Sequence, residues 1–564
     1  MEIKLKASDL PENIKKAEVT SIKVKKGDQI TAGEEIIDLE ANKTTISLTA
    51  GQAGIINEIL IEEGSEIEIG TVLLKIDTNF NEKETETEIK KETKNSKESQ
   101  ITIIGGGPGG YVAALKAAKM GADVCLIEKE ELGGTCLNWG CIPTKALVRS
   151  AEIYNNLKNA AQFGCSAENI NFNWDQIISR KNKIVSQLTN GIKSLLKKHK
   201  VKVIRGQAEI VDKNTVLIAK DKKELIINTK NIILATGSKP IELPIVATAA
   251  DKHLLYSKQA LDLEELPQKM AIIGGGVIGL EFAFIFSRLD VEVTVIEYLD
   301  EILAFLDSDV ITEITEAAAE EGIEIYTGAE AKSVKATADQ QALVEFEVSD
   351  QKKYITADKV LMAVGRQAYL GDLDLEKIGI MIDENTGGIK VNEKMQTTVD
   401  NIYAIGDCTG KTQLAHAASH QGVIAAKNIL AEKAEMDYNT IPAAVFTAPE
   451  IAAVGLTEKE AANKDLEIKI GKFPVMANGK ALTLGETRGF VKIISDAETD
   501  SVLGGTIIGP HATDLIAEIT LAVNNNLTTE EIIDTIHAHP TSAESIHEAA
   551  LAVRPEGALH YYEE

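Results

Sequence analysis

The sequence of 564 residues is poor in the features that mark secreted and membrane proteins. Five cysteines are too few for a framework of structural disulfides in a chain of this length. No apolar run approaches the roughly 18 residues that a membrane-spanning helix needs. The first residues, Met1 to Lys6, alternate in charge and lack the apolar stretch of a secretory signal. We therefore expect a cytoplasmic protein that does not bind a membrane.

Positive charge is also scarce. Lys and Arg number 59 against 86 Asp and Glu, which gives a formal net charge of -27. Such a chain repels phosphate backbones, and no basic patch compensates, so the composition argues against nucleic acid as a partner. Hydrophobic residues nevertheless make up 44% of the sequence. At roughly 150 residues per domain, the length predicts three or four globular domains.

The clearest domain boundary lies at residues 79–100, where Lys, Glu, Thr, Asn and Ser dominate and almost nothing can be buried. We predict a flexible charged linker there. An exposed helix with Glu/Lys pairs is the alternative, and it would also separate two domains. From Ile101 onward, β-rich apolar runs alternate with helical patterns, which predicts α/β domains with parallel sheets.

Residues 1–78 contain an internal repeat at an offset of 37 residues, as between Val19 and Ile56. Seven positions match: Val19, Ile22, Val24, Gly27, Ile30, Gly33 and Leu39 correspond to Ile56, Ile59, Ile61, Gly64, Ile67, Gly70 and Ile76. Period-2 alternation joined by glycine turns predicts two similar sheets packed as a small β-barrel or sandwich. The stretch between the two halves places Lys43 in a turn between two strands.

This pattern resembles the lipoyl/biotinyl domain family, in which a lysine at such a hairpin tip is modified. Asn42 stands before Lys43, where lipoyl domains usually have Asp and biotinyl domains usually have Met. Because Asn is nearer to Asp in size and shape, we predict a lipoyl group on Lys43. Biotin, or an unmodified lysine, remains the alternative.

A glycine-rich turn follows the apolar strand Ile101–Ile104 and precedes a helical pattern. Its GxGxxG spacing predicts a dinucleotide site: Gly105 permits the tight turn, Gly107 lets the backbone approach a pyrophosphate, and Gly110 lets the helix pack on the strand. Glu128 ends the next predicted strand. Its carboxylate can accept the hydroxyl groups of an adenosine ribose.

The same unit recurs at Gly274, Gly276 and Gly279, with Glu297 in the place of Glu128. Each acidic residue lies 23 positions after the first glycine of its turn (128 − 105 and 297 − 274). A single glycine-rich motif is weak evidence, but two matched copies predict two nucleotide sites. Glu297 favours NAD over NADP, because a carboxylate repels a 2′-phosphate.

The most specific segment is Gly133–Lys145, which contains Cys136 and Cys141. Two residues five apart on a regular helix have Cα atoms roughly 8–9 Å apart, beyond the approximately 7 Å limit for a disulfide. The pair therefore needs a distorted turn, for which Gly140 and Pro143 supply the means. A zinc site is the rival interpretation, but the other three cysteines show no paired metal spacing. We predict a redox pair and no metal.

This segment resembles that of the pyridine nucleotide-disulfide oxidoreductases, and its Leu-Asn-x-Gly-Cys-Ile-Pro-Thr-Lys form is closest to the dihydrolipoamide dehydrogenases among them. Three shorter motifs typical of two-dinucleotide flavoproteins accompany it: Ala235–Ser238, Val364–Arg366 and Ile402–Asp407. The resemblance implies that Cys136 exchanges with substrate, that Cys141 faces the flavin, and that Glu281 is the acidic partner of Lys145.

The resemblance also implies a two-dinucleotide-binding flavoprotein fold with an α+β interface domain. The implied segments are an FAD domain at 101–241 and 368–440, an NAD domain at 242–367 and a dimerisation domain at 441–564. The implied FAD contacts are Gly105, Gly107, Gly110, Glu128, Lys145, Ala208, Gly237, Asp407 and Ala415. The implied NAD contacts are Gly274, Gly276, Gly279, Glu281, Glu297 and Gly365.

A thiol substrate needs a base, and the C-terminal region offers His539-Pro540 followed by Glu544. In the family this histidine is the base, the glutamate holds its other ring nitrogen, and the dyad reaches the cysteines of the partner subunit. The resemblance therefore implies a homodimer. A neighbouring histidine, His537, is assigned no chemistry.

The function implied is NAD-dependent oxidation of protein-bound dihydrolipoamide through the cysteine pair and FAD. The partners implied are lipoyl domains and the E2-type core components of a 2-oxo acid dehydrogenase complex. Glutathione, mycothiol-type and mercuric reductases are the enzyme rivals. Glu297 argues against the NADPH that glutathione reductases prefer, and the C-terminus lacks the cysteine pair of mercuric reductases. A role chiefly as lipoyl carrier and assembly component is the alternative of another class.

Overall fold

The computed structural model describes most of the chain as two compact units, residues 1–96 and residues 97–564. The residues described are 2–4, 16–30, 34–41, 44–51, 54–77, 96–220, 223–371 and 373–562. Lys43, the predicted attachment site, lies outside the described residues. So do residues 79–95 of the predicted linker. Residues 96–100 were also predicted to be linker, but they belong to a strand. The Gln100 amide donates a hydrogen bond to the Asp123 carbonyl. The sequence does not reveal this pairing, because few of these residues are apolar.

The described part of the first unit forms two four-stranded sheets, ordered β1-β8-β6-β3 and β5-β4-β2-β7. Its strands are β1 Glu2–Lys4, β2 Lys16–Ile22, β3 Gln29–Ile30, β4 Glu35–Ala41, β5 Thr44–Thr49, β6 Gly54–Ile59, β7 Glu66–Glu68 and β8 Val72–Asp77. The sequence repeat maps β2, β3 and β4 onto β6, β7 and β8. Each sheet takes its short strand from the other half, so the halves are interlocked.

The repeated apolar positions form the core of this unit. Val19, Ile30 and Leu39 are fully buried, and so is Ile56, the repeat equivalent of Val19. Gly27 and its equivalent Gly64 have φ values of 96° and 83°, which favour glycine at these turns. Strands β4 and β5, which flank residues 42 and 43, pair antiparallel with Ala41 opposite Thr44.

In the second unit, the first sheet has seven strands and combines two stretches far apart in sequence. These are β9 Ser96–Ile104, β10 Val124–Glu128, β11 Lys202–Arg205, β12 Gln207–Asp212, β13 Thr215–Lys220, β14 Lys223–Leu234 and β25 Ile402–Ala404. Parallel strands β9, β10 and β11 lie side by side, and β25 returns to pair with β14. A short ribbon, β15 Ser238–Pro240 with β24 Arg366–Ala368, follows the sheet.

The second sheet of this unit is parallel and has the order β16-β23-β17-β18-β19. Its strands are β16 Leu254–Leu255, β17 Lys269–Ile273, β18 Glu292–Ile296, β19 Glu324–Tyr326 and β23 Lys359–Met362. An antiparallel sheet of three strands adjoins it: β20 Ala329–Ala336, β21 Ala342–Val348 and β22 Gln351–Ala357.

The C-terminal part contains a five-stranded antiparallel sheet with the order β26-β27-β30-β29-β28. Its strands are β26 Ala443–Val445, β27 Ile451–Gly455, β28 Ile468–Pro474, β29 Phe490–Asp496 and β30 Val502–Ile508.

The helices of the second unit are α1 Pro108–Lys119, α2 Gly134–Trp139, α3 Cys141–Lys158, α4 Trp174–Lys198, α5 Ser257–Ala260, α6 Val277–Arg288, α7 Ser308–Glu320, α8 Ala415–Ile429, α9 Glu458–Asn463, α10 Gly479–Leu484, α11 Ala512–Asn524, α12 Thr529–Ile533 and α13 Glu544–Leu551.

The two nucleotide motifs occupy equivalent places in these sheets. Strand β9 leads through the first glycine turn into α1, and β17 leads through the second into α6. Because both sheets are parallel at these strands, the turns lie at the carboxyl ends, where open α/β sheets bind ligands. The topology thereby brings both turns to the rim of one cavity.

Candidate active site

A cavity of about 1690 Å³ joins the two glycine turns to the cysteine pair. Among the described residues, all those that line it lie between Ile104 and Val445. The lining combines the first sheet, the segment of Cys136 and Cys141, the second sheet and the start of α8. The volume is large enough to take two nucleotides.

Each of the three positions in the first turn requires glycine for a different reason. Gly105 has a φ of +108°, and a Cβ there would lie 2.1 Å from the Ala235 carbonyl oxygen. A Cβ on Gly110 would lie 1.8 Å from the Gly105 carbonyl oxygen. Gly107, by contrast, has an ordinary φ of −70°, and the nearest atom of the described residues would be 3.9 Å from its Cβ. A ligand pressed against its backbone explains the glycine there, as a pyrophosphate would.

The second turn repeats this arrangement. Gly274 has a φ of +111° with the Ala363 carbonyl oxygen 2.4 Å from a Cβ, and a Cβ on Gly279 would lie 2.0 Å from the Gly274 carbonyl oxygen. Gly276 has a φ of −78°, and no atom in the described part of the chain lies within 4 Å of a Cβ there. The protein alone therefore does not require glycine at this middle position either.

The two acidic residues are held in the same way. Glu128 accepts hydrogen bonds from the Gly106 amide at 2.6 Å and the Glu130 amide at 2.7 Å. Glu297 accepts from the Gly275 amide at 2.5 Å and the Leu299 amide at 2.7 Å. Both carboxylates line the cavity, where they can receive ribose hydroxyl groups.

Four helices begin at this cavity with uncapped N-termini. Within the described ranges, no side chain caps α1, α3, α6 or α8, whose N-cap residues are Gly107, Gly140, Gly276 and Leu414. Side chains cap α4, α9, α10 and α12, whereas α7, α11 and α13, away from the cavity, also lack a cap from any described side chain. Free amide groups and the positive end of the helix dipole favour phosphates, a thiolate or a flavin carbonyl. The residues thus fit FAD and NAD.

The cysteine pair sits at a break between two helices. Helix α2 ends at Trp139, Gly140 adopts φ −141° and ψ −119°, and α3 begins at Cys141. A Cβ on Gly140 would lie 2.8 Å from the Thr135 carbonyl oxygen, so the close turn requires glycine. Pro143 lies in the first turn of α3, where its missing amide costs nothing. The distortion predicted from the disulfide geometry is present.

Both cysteines are free thiols that line the cavity. A hydrogen bond with the Cys136 thiol lowers the pKa of Cys141 to about 7, and the ammonium of Lys145 acts in the same direction. The same hydrogen bond, together with burial, raises the pKa of Cys136. Within the pair, Cys141, at the first position of α3, is the thiol that ionises more readily.

Lys145 and Glu281 form an ion pair next to the thiols. The Lys145 Nζ lies 2.8 Å from both carboxylate oxygens of Glu281, which is almost fully buried. The Phe446 amide donates to Glu281 at 3.1 Å, and the Phe446 ring lies 4.3 Å from the Lys145 Nζ. This pair ties α3 to α6. Glu281, predicted among the NAD contacts, lines the cavity and holds the lysine.

A second polar network surrounds Asp407. The Ser238 hydroxyl donates to Asp407 at 2.5 Å, and the Arg366 guanidinium donates to the Ser238 hydroxyl at 2.8 Å and its carbonyl at 2.7 Å. Burial raises the pKa of Asp407, while the Ser238 hydrogen bond and the Arg366 charge oppose that rise. Ser238 and Arg366 belong to motifs recognised in the sequence and line the cavity, but neither residue was itself predicted for the site.

The histidine dyad lies apart from this cavity. His539 Nδ1 and Glu544 Oε1 are 2.9 Å apart, and the Thr541 amide donates to the other oxygen of Glu544 at 2.8 Å. The His539 side chain is 79% exposed. Neither residue lines the cavity of its own chain, so within one chain the dyad and the thiols are not brought together.

The predicted site residues therefore fall into four groups. Those that line the cavity are Gly105, Gly107, Glu128, Cys136, Cys141, Lys145, Ala208, Gly237, Gly274, Gly276, Glu281, Glu297, Gly365, Asp407 and Ala415. Gly110 and Gly279 support the turns from behind. His539 and Glu544 form their own dyad, and Lys43 lies outside the described residues.

Comparison with protein families agrees with this geometry. The family described as pyridine nucleotide-disulphide oxidoreductase matches residues 99–422. The chain belongs to this family. The dimerisation domain of the pyridine nucleotide-disulphide oxidoreductases matches residues 441–550, which supports the predicted homodimer. The family described as biotin-requiring enzyme matches residues 3–76, which confirms an N-terminal domain of the lipoyl/biotinyl type.

Individual relatives narrow the assignment within the pyridine nucleotide-disulphide oxidoreductases. The chain is 45% identical to dihydrolipoyl dehydrogenase from Chlamydia pneumoniae over 456 residues, which cover 81% of this chain and 97% of the relative. It is 43% identical to dihydrolipoyl dehydrogenase from Bacillus subtilis over 454 residues, with 80% and 96% covered. The prediction of an FAD- and NAD-dependent dihydrolipoyl dehydrogenase is confirmed.

Solved structures show the same fold. LpdA from Mycobacterium tuberculosis matches with a TM-score of 0.75 and 31% identity, over 80% of this chain and 99% of that chain. The Cu(II) complex of the HOCl-induced flavoprotein disulfide reductase RclA from Escherichia coli matches with a TM-score of 0.73 and 30% identity, over 81% and 100%. None of the helices in the described ranges meets the length and apolarity needed to span a bilayer.

Proposed function

We propose that Cys136 is the thiol that exchanges with dihydrolipoamide and that Cys141 is the thiol that faces the flavin. The observation that carries this assignment is the lowered pKa of Cys141 at the start of α3, next to Lys145. A thiolate held there shares the cavity with the predicted FAD contacts, among them Gly105 and Ala415. FAD, when bound, supplies the two-electron chemistry that links this pair to NAD⁺.

The proposed exchange transfers two electrons from dihydrolipoamide to the cysteine pair. A dihydrolipoyl thiolate attacks the Cys136 Sγ of the oxidised pair, forms a mixed disulfide and displaces Cys141 as a thiolate. The second dihydrolipoyl sulfur then attacks the first, which closes the lipoyl disulfide and releases Cys136. The substrate loses two electrons, and the cysteine pair gains them. Lys145 stabilises the Cys141 thiolate, and Glu281 fixes the position of Lys145.

We propose that His539 takes the proton of the attacking thiol, with Glu544 orienting the ring. The exposed His539 ring and its position outside the cavity of its own chain support action on the thiols of the partner subunit. The match to the dimerisation domain supports the same arrangement. The dyad would then complete the site only in the dimer.

We propose further that Lys43 carries a lipoyl group and that the enzyme serves a 2-oxo acid dehydrogenase complex through E2-type components and their lipoyl domains. The match of residues 3–76 to the biotin/lipoyl type of domain supports a modified lysine. The identity of Asn42 favours lipoyl. We also propose a cytoplasmic location, since five cysteines in 564 residues suit a reducing compartment, where structural disulfides are rare.

The electron path is tested by Cys141→Ser. We expect loss of NAD⁺-dependent turnover of dihydrolipoamide, because Ser cannot form the disulfide that receives the electrons. The measurement is the steady-state rate of NADH formation together with the FAD content. Cys165→Ser is the matched control: Cys165 is an exposed free thiol outside the cavity, and its variant should keep the full rate. Turnover of Cys141→Ser at the unmodified rate would refute the path.

A further inference from the structure

The adenosine end of the second nucleotide turn has an unassigned pair of charges. Strand β20 begins at the cavity wall, where Ala329 and Glu330 line the cavity together with Glu297 and Tyr298. The Glu330 Oε2 lies 2.6 Å from the Nζ of Lys332, two residues further along the strand. A second carboxylate, that of Glu347 on β21, lies 4.0 Å from the same ammonium. The motif of Gly274 to Glu297 does not include Glu330, Lys332 or Glu347.

We propose that Glu330 is a second determinant of the preference for NAD over NADP, because it neutralises Lys332. The inference rests on the assignment of the turn at Gly274–Gly279 to NAD. It adds to the role of Glu297, which repels a 2′-phosphate directly. Glu330 acts on Lys332, a cation that would otherwise attract that phosphate.

The geometry supports this division of roles. Both oxygens of Glu297 accept backbone hydrogen bonds, so the carboxylate is fixed where a ribose would lie. The hydrogen bond with Glu330 raises the pKa of Lys332. Lys332 does not itself line the cavity, but its ammonium lies 2.6 Å from the carboxylate of Glu330, which does. The carboxylates of Glu330 and Glu347 both lie next to its ammonium.

A 2′-phosphate at this end of the cavity needs a cation, since phosphate binding sites use charge-assisted hydrogen bonds from Lys or Arg. In the unmodified chain the Lys332 ammonium already forms an ion pair with the Glu330 carboxylate. Removing the charge of Glu330 while keeping its shape leaves the Lys332 ammonium beside the more distant Glu347 carboxylate, 4.0 Å away, so the ammonium is more readily available to a phosphate. The gain should appear for NADP⁺ and not for NAD⁺, because the two differ at this position only.

The test is Glu330→Gln in the FAD-loaded enzyme, with dissociation constants for NAD⁺ and NADP⁺ measured by titration calorimetry. We expect NADP⁺ to bind about fivefold more tightly, the size of one partly exposed ion pair, with NAD⁺ binding nearly unchanged. In the double variant Glu330→Gln/Lys332→Met the gain should disappear. An equal change for both nucleotides, or a gain that persists without Lys332, would overturn the proposal.

Glu345→Gln is the matched control. Glu345 on β21 pairs with Lys335 at 3.5 Å and Lys352 at 3.1 Å but does not line the cavity, so its variant should leave both constants unchanged. Gly276→Ala separates this inference from the NAD assignment. If Gly276→Ala leaves the NAD⁺ dissociation constant unchanged, the assignment of the turn and the inference are both wrong. If Gly276→Ala weakens NAD⁺ binding by about tenfold or more and Glu330→Gln leaves the nucleotide ratio unchanged, the inference alone is wrong.

Discussion

Glycine is required in the two nucleotide turns for one of two reasons. Either the backbone conformation and neighbouring protein atoms leave no alternative, or a bound ligand needs the space, and the structure distinguishes the two cases. Gly274 needs a left-handed backbone, and Gly279 has no room for a side chain. Gly276 has an ordinary backbone and open space around it among the described residues. The sequence motif predicts all three positions alike, because spacing does not distinguish a backbone requirement from a ligand requirement. The distinction leads to different expectations for substitution.

Gly276→Ala should fold normally and lose NAD⁺ affinity by about tenfold or more, because the methyl group would occupy the space of the pyrophosphate. Gly279→Ala should instead destabilise the protein by about 1–3 kcal/mol, since its Cβ would overlap the Gly274 carbonyl oxygen. Thermal unfolding and NAD⁺ titration of both variants check this. Equal loss of stability in the two variants would contradict the assignment.

Residue roles were predictable where they depend on local spacing and not where they depend on distant contacts. The two turns, Glu128 and Cys141 were found from motifs, and the cavity contains them. The contact of Arg366 with Ser238 joins residues 128 positions apart, and no pattern in the sequence records it. Their motifs were recognised, but the hydrogen bonds that make them cavity residues required the fold.

At the scale of elements, an ionic cluster fixes α7 to the C-terminal antiparallel sheet. The Lys492 Nζ on β29 lies 2.8 Å from Asp307, 2.9 Å from Asp309 and 2.7 Å from Glu458. The Lys492 side chain is only 1% exposed. Lys472 also contacts Asp309, at 3.0 Å. The three carboxylates lie close enough together to bind a metal ion. The Lys492 ammonium lies between them instead.

Lys492→Met should destabilise the folded protein by about 3 kcal/mol, because it leaves the buried Asp307 and the partly buried Asp309 and Glu458 without the cation that they share. Burial opposes the charge, but hydrogen bonds with Asp307, Asp309 and Glu458 raise the pKa of Lys492. Its contribution is therefore complete at neutral pH and is lost only as the pH rises through that raised pKa. Denaturant unfolding at pH 7 measures the change. Lys335→Met, an exposed ion-pair variant, should show no comparable loss, and equal effects would contradict the argument.

Elements with a periodic or punctuated sequence were predictable, and those built by pairing of distant segments were not. The repeat in residues 1–78 corresponds to the repeated strands, and Gly140 interrupts the helix between the cysteines. The ion pairs of Lys492 cross 183 residues to Asp309. From the sequence alone such charged residues cannot be distinguished from ordinary surface residues, because their partners lie in another part of the chain.

At the scale of the whole molecule, the oxidoreductase and the N-terminal domain are separate compact units. The curated dihydrolipoyl dehydrogenases are covered almost completely by the match, at 97% and 96%, while about a fifth of this chain lies outside it. Among the described residues, all those that line the cavity belong to the second unit. The N-terminal unit is thus an addition to the part of the chain that matches these relatives.

The proposed lipoyl group on Lys43 gives the last prediction. Intact-mass analysis of the native protein should show the increment of one lipoyl group, and Lys43→Arg should abolish it. Turnover of free dihydrolipoamide should not change in this variant, because no described residue of the first unit lines the cavity, whereas flux through the assembled complex should fall. Lys26→Arg, an exposed lysine of the same unit, should keep the increment. A biotin increment, or none, would refute the lipoyl proposal while leaving the oxidoreductase assignment intact.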